Sequence, residues 1–500
     1  MSHKNKKFEL LNSIIMKKLS IITLLIMLFV GCGEDQLNLS PLTNLSEGTF
    51  YNSESEMQQA VDDVYRQLGR LYNGGSIADL YGELYSDNTD IVHQTSGGVG
   101  AFGSEDINNY SIRSANAQIE NAWNNTYNSI FICNNVIVRV ENTELDIDTS
   151  LTNRWLSEAK MVRALAYFNL VRAFGEVPFV LTPVTSNEAY NFLRDSTDTI
   201  YGKIIEDLNF AKTHLPESYS GSDVGRITRY AASAVLAKIY LTRGNDTAAQ
   251  AELEFIINSG QYTLDANGDG IINAEDFNYV FDPDTKNSAE SILEAQYRAG
   301  TNAFNSNHQN RYMPFSHSFN LPGVEGTFRG EGLNMPSYEL GDEFEEGDPR
   351  IGVSIVPGYT DLGSGEFVEH PITFKFLDPN WSNPGNNFSI IRYADILLMY
   401  SEITGDPEYL NQVRERAGVP LFGSDEYPTE LYPTLQLAIE HERRVELTHE
   451  MHRMFDLVRT DRAVEVLQGK GFNFSENKIL FPIPQNAIDV NPQLTQNPGY

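Results

Sequence analysis

Apolar residues recur at three- and four-residue spacing over residues 55–72, 117–140, 150–174, 197–214, 227–243 and 247–259. That period predicts a run of amphipathic helices. Gly175 and Gly244 follow two of them as stop signals, and Asp198 precedes a third as a cap. In the fifth, Ala231, Ala232, Ala234 and Ala237 lead to Tyr240, and small residues at that spacing let two helices approach closely. Successive helix pairs of this length look like tetratricopeptide-type repeats, with an ordinary helical bundle as the competing arrangement. From about 293 to 388 the period disappears into Gly, Pro, Asn and aromatics. So long an irregular stretch is functional or disordered, and its aromatic content argues for function. Helical spacing returns at 392–404, 407–417 and 434–467, before a Pro- and Asn-rich tail.

The chain's most apolar run is different in kind. Residues 19–30 follow Lys17-Lys18 and lead into Gly31-Cys32. About a dozen residues is too short to span a bilayer. The order of basic, apolar and small-residue zones is that of an export signal. With Cys32 at the junction it resembles the lipobox of bacterial lipoproteins. Residues 1–31 are therefore expected to be a signal peptide with its natural start at Met16, and 32–50 a polar tether lipidated at Cys32. Two or more acyl chains would make that attachment stable.

The formal charge is −32, and removing residues 1–31 leaves 31 basic against 67 acidic side chains, or −36. Such a field repels nucleic acid and anionic membranes. It suits a neutral ligand, a cation or a protein partner. The only other cysteine, Cys133, sits in an apolar run and is expected to be a buried small hydrophobe.

One segment carries the spacing of a metal loop. Asp265, Asn267, Asp269, Asn273 and Asp276 occupy positions one, three, five, nine and twelve, Gly270 sits at six, and Ile271 offers a carbonyl at seven. That is the ligand pattern of an EF-hand calcium loop, dockerin-like because position twelve is Asp. A structural calcium clamp is expected, with an Asx-rich turn that binds nothing as the alternative. Enzyme signals are poor. The glycines from Gly98 to Gly103 match a dinucleotide pattern without its strand–turn–helix context and read as a flexible loop. His449-Glu450-Met451-His452 lacks the spacing that puts two histidines on one helix face.

A further set of motifs runs from end to end. It comprises Trp123 to Tyr127 and Asn134-Asn135; Glu158-Ala159-Lys160 through Arg163 to Tyr167-Phe168; and Gly225-Arg226. Later come Gly347-Asp348-Pro349-Arg350, Ile391-Arg392-Tyr393-Ala394-Asp395, Arg414 to Gly418, Glu442-Arg443-Arg444 and Phe455 to Arg459. The tail 481–500 closes the set. In that joint order the chain resembles the SusD/RagB family of outer-membrane nutrient-binding lipoproteins. Arg163, Arg392, Glu446, Asp456 and Arg459 interrupt apolar helical stretches, so they are expected to form paired internal networks. The resemblance implies a mainly α, SusD-like fold over 51–500. Helical repeats to about 260 and C-terminal helices after 391 would support a loop-rich ligand region at about 293–390. It also implies a surface-exposed, lipid-anchored protein over a SusC-like TonB-dependent transporter, binding an oligosaccharide or a peptide and carrying no catalytic centre. An interaction scaffold using the repeats and the calcium-type loop is the reading from another class.

Sugar recognition needs flat aromatic faces with polar groups for hydroxyls. Trp123 and Trp155 lie on helical motifs and are expected in the core. Trp381, between Asp378 and Asn387, is the platform candidate. His308, Arg311, Tyr312, Phe315 and His317 offer the same chemistry, as do Asp87 and Asn88.

Overall fold

The computed structural model describes residues 51–91, 99–189 and 191–500. The signal sequence, Cys32 and the tether lie outside the described residues, and residues 57–500 form one body. The helices Ala117–Glu141, Thr149–Phe174, Thr197–His214, Arg229–Thr242 and Asp246–Ile257 pack in succession, each on the next. The three residues 243–245 make Arg229–Thr242 and Asp246–Ile257 a helical hairpin, whereas the connection 175–196 carries a short helix and a two-stranded ladder of its own. Burial of Ala231, Ala232, Ala234 and Ala237 brings Arg229–Thr242 close to both neighbours. Side-chain caps define the entries: Asn116, Asp148, Thr228 and Asn245 each accept a first-turn N–H.

The chain then returns to the stack. Tyr393–Thr404 packs on Asp246–Ile257, Pro407–Ala417 and Leu435–Glu446, around a core of Leu264, Leu397, Leu398, Leu410, Val413 and Ile439. Just before it, strand Phe388–Arg392 pairs antiparallel with Ser291–Ala295. The pairing closes a neck, so residues 296–387 leave and re-enter the helical body at one place. Inside that excursion four short strands form an antiparallel sheet in the order Phe328–Gly330, Ser316–Asn320, Tyr359–Asp361, Phe367–Val368. Met313, Phe319, Phe328, Met335, Tyr359 and Ile372 give it a core of its own.

Three local expectations are corrected. The helix expected over 434–467 is three helices, Leu435–Glu446, Arg453–Arg459 and Ala463–Gly469. The first break is a turn in which His449 and Met451 both have φ 63°. Buried Glu83 accepts both their N–H groups, at 3.1 and 3.0 Å, and so holds a conformation most side chains resist. Ser196, not Asp198, caps Thr197–His214. The glycine-rich stretch read as a flexible loop contains the helix Val99–Asn108.

Candidate functional site

The loop carrying Trp381 is tied down from inside. Asp378 is buried, and its two carboxylate oxygens accept from Asn380 N–H and Gly385 N–H, each at 2.7 Å. The Asp378 N–H donates to Gln309 Oε1 at 2.7 Å, and Asn386 Nδ2 donates to the Leu377 carbonyl at 3.1 Å. Segment 298–306 fastens the other edge, with Gly300 N–H on the Asn383 carbonyl and Ser306 N–H on that of Pro384. Only glycine fits at 385, where a Cβ would come within 2.4 Å of the Ala299 nitrogen. Trp381 is half-buried: one side packs against the core of the small sheet, and the Arg329 guanidinium carbon lies 5.6 Å from its ring centre. The result is an indole held in one place by the loop's internal bonds.

Other candidates fall elsewhere, and most are corrections. Tyr312 and His308 are fully buried; His308 stacks on Phe388 at 4.6 Å and contacts Phe376 at 5.1 Å. Burial pushes the His308 imidazole down to about 4, so it stays neutral. Arg311 is buried against Asp79 at 2.9 Å. Asp87 lies in the interior between Arg453, Arg444 and Lys470, at 2.8, 3.2 and 2.8 Å. Asn88 bridges Glu83 and Arg444. These five are buried in the body of the fold, away from the Trp381 loop's exposed edge. Phe315 is half-buried beside the first residue of its strand, and the side chain of His317 lies outside the described residues. Sequence reasoning passed over Tyr338, which is 59% exposed, and Phe367, at 56%. The signal for Tyr338 was readable: Ser337 caps Tyr338–Asp342 and turns the following ring outward, where its hydroxyl donates to the Glu369 carbonyl at 2.8 Å.

Trp123 and Trp155 are core residues, as expected. So are the charged motif residues. Burial alone would raise the Glu446 carboxyl, yet Arg416, Arg392 and Arg350 around it hold it well below the usual carboxylate range. Arg392 also reaches Glu290 at 2.7 Å and Glu450 at 2.8 Å, and Arg414 reaches Glu442 at 2.7 Å. Arg163 pairs with Asp207 at 2.6 Å, and Arg459 bonds both Asp456 and Glu402. Cys133 is a free, buried thiol pushed up to about 12.

The loop 265–276 keeps its tight turn through backbone donors. Asp265 accepts from Gly268 and Gly270 N–H, Asp269 from Ile271 N–H, and Asp276 from Asn267 and Asn273 N–H. Asn273 and Asp276 form a capping box on Ala274–Val280, so that helix opens at Ala274 and not at Asp276. Among the described residues no three His, Cys, Asp or Glu side chains converge on a metal position.

Two cavities stand apart from the loop. One of about 500 Å³ is lined by Arg443, Arg453, Arg459 and Arg462, each already paired with a carboxylate. The other, about 320 Å³, is an apolar groove between Trp123, Tyr127, Phe131, Val180, Val490 and Leu494.

Comparison with known proteins gives a consistent picture. A family model described as "SusD family" matches residues 345–500, and one described as "Starch-binding associating with outer membrane" matches 42–241. The chain is 26% identical to a SusD-like protein of Formosa agariphila, over 97% of this chain and 100% of that one. It is 26% identical to a SusD-like protein of Bacteroides ovatus, over 92% and 85%. Among solved structures, a laminarin-binding SusD-like protein superposes with a TM-score of 0.74 at 27% identity, covering 90% of this chain and 100% of that one.

Proposed function

The chain belongs to the SusD family of glycan-binding outer-membrane proteins, and from that premise we propose that it captures an oligosaccharide over the Trp381 loop and hands it to a SusC-like TonB-dependent transporter. The observation that carries this reading is the half-exposed indole on a loop fixed by Asp378 and Gly385. A pyranose ring presents flat C–H faces that stack on such a surface, and a preformed site loses little entropy on binding. The laminarin-binding relative supports a saccharide over a peptide. In this reading the chain is a binding protein and not an enzyme, anchored through acyl chains on Cys32.

Titration calorimetry of the soluble domain against a panel of neutral and charged oligosaccharides and of peptides tests the capture step. Saturable saccharide binding that Trp381→Ala weakens at least tenfold is expected; peptide binding alone would overturn the assignment. Cys32→Ala should release the protein from the membrane and reduce uptake while leaving that affinity intact. Co-purification of the lipidated protein with a large β-barrel partner tests the delivery step.

We also propose that Asp265, Asn267, Asp269, Asn273 and Asp276, with the Ile271 carbonyl, hold a structural calcium ion. The chemistry of the donor set is right: hard oxygen ligands at the EF-hand spacing. Holding the ion would draw Asp265, Asp269 and Asp276 together around it.

A further inference from the structure

Most arginines of the helical body are paired with a carboxylate, and Arg70, Arg154, Arg172 and Arg194 are bonded instead to amide or carbonyl groups, whereas two on segments that meet the Trp381 loop have neither kind of side-chain partner among the described residues. Arg329 is exposed, lies over the Trp381 ring at 5.6 Å, and forms no ion pair among the described residues, although Glu325 and Glu331 flank it on the same segment. Arg298 is also exposed and, among the described residues, without an ion pair. It opens the segment whose Gly300 and Ser306 N–H groups hold the loop at Asn383 and Pro384. In a chain with a formal charge of −32, free guanidinium groups at a ligand platform are against the general trend.

We propose that Arg329 makes an anion subsite beside Trp381, so that the captured saccharide carries a negative group, a carboxylate or a sulfate ester. The inference rests on the capture reading above and names the ligand class of that same site. The chemistry follows from the two side chains together. A guanidinium held over an indole keeps its N–H fork available at the ring edge, and that fork matches the paired oxygens of a carboxylate or sulfate. A sugar stacked on the open part of the indole then brings a ring substituent within reach of the fork. The negative charge of the whole protein does not forbid this. At physiological ionic strength the screening length is about 8 Å, so distant carboxylates count little, while an exposed pair in contact keeps a salt-dependent attraction.

Titration calorimetry with three probes tests this: a galacturonate tetrasaccharide, a sulfated galactan tetrasaccharide and neutral laminaritetraose. At least one acidic probe should bind at least tenfold tighter than the neutral one. Arg329→Gln should remove that advantage while leaving the neutral affinity within twofold. Arg329→Lys should restore part of it, because it returns the charge without the fork. Which acidic probe is preferred distinguishes carboxylate from sulfate. On wild-type protein, raising salt from 50 to 300 mM should weaken the acidic probe and leave laminaritetraose unchanged, a measurement independent of any variant's folding. The inference is overturned if laminaritetraose binds as tightly as the acidic probes, if Arg329→Gln affects all three alike or none, or if acidic binding is salt-independent. Those outcomes spare the capture reading. Failure of all three probes, with peptide binding in their place, overturns both.

Discussion

Two regions use the same side chains to opposite ends. Around Leu435–Glu446, arginines and glutamates are buried and ion-paired with one another: Arg350, Arg392 and Arg416 converge on Glu446, and Arg414 and Arg350 share Glu442. At the Trp381 loop, Arg329 is exposed and forms no ion pair among the described residues, and the buried carboxylate of Asp378 accepts from backbone N–H groups. The first arrangement locks helices together across segments far apart in sequence. The second spends its internal bonds on shaping a loop and leaves a cation and a ring facing outward. What separates scaffold from site is therefore partnering and not residue type. A charge with all its bonds made inside the protein has none to give a ligand.

The largest effect expected from breaking this contrast is at Glu446. Replacing it with Ala takes a shared carboxylate from three buried guanidinium groups, which keep Asp348, Glu442, Glu290 and Glu450 as partners, and removing one partner of a buried ionic network costs up to about 3–5 kcal/mol. Urea unfolding should show that loss with an unchanged slope, while the folded variant keeps wild-type saccharide affinity. A drop in affinity without loss of stability would mean that the network reaches the ligand.

Acid should also act on the scaffold before it acts on the site. Burial pushes His308 down to about 4 and His452 to about 3, and holds His449 well below its ordinary value. An unfolded histidine takes up its proton near 6.5, so from about pH 6.5 downward the unfolded chain binds more protons and stability falls. Each buried imidazole would cost about 2 kcal/mol by pH 5. Glu83, pushed up to about 7 by burial, works the other way, because the folded state takes up its proton first as pH drops. One carboxyl does not offset several histidines, so unfolding free energy should decline between pH 7.5 and 5. His308→Phe, which keeps the stack on Phe376 and Phe388, should flatten that slope by about one proton.

How much of this was legible in the sequence follows the same division. The helices were readable because their apolar period is strong over a dozen or more residues, and so was the pairing of Arg163, Arg392 and Glu446, since a charge inside an apolar helix must find a partner. The break at 447–452 was not, because it depends on Glu83, more than 360 residues away in sequence. The small sheet was missed because its strands are two to five residues long. Among site residues, Trp381 was picked out by its loop, whereas His308, Arg311, Tyr312, Asp87 and Asn88 have the right chemistry for a sugar and are buried. Side-chain type says what a residue can bind; only its surroundings say whether it is already bound.

The calcium-type loop is an intermediate case, with carboxylates, from exposed Asp269 to buried Asp276, that accept from backbone donors. If the ion binds the folded state alone, a hundredfold excess over its dissociation constant stabilises by about 2.7 kcal/mol. Thermal melting with calcium and with chelator should differ accordingly, and Asp265→Ala should abolish the difference. Equal midpoints would leave the loop as a capped turn.

The smallest change should come from loosening the platform without touching its exposed groups. In Asp378→Asn one oxygen is replaced by an amide, which cannot accept from the N–H of Asn380 or Gly385, whichever it faces. A single such bond is worth about 1–1.5 kcal/mol net. Because the loop hangs outside the neck formed by Ser291–Ala295 and Phe388–Arg392, the loss should be felt locally, with a midpoint shift of a few degrees at most. Affinity should fall three- to tenfold on every saccharide that binds, acidic or neutral, because the platform moves as a unit. Arg329→Gln, by contrast, discriminates by ligand charge. If Asp378→Asn leaves affinity untouched, the loop is not held in its binding shape by that carboxylate, and the contrast between a locked scaffold and a shaped site loses its second half.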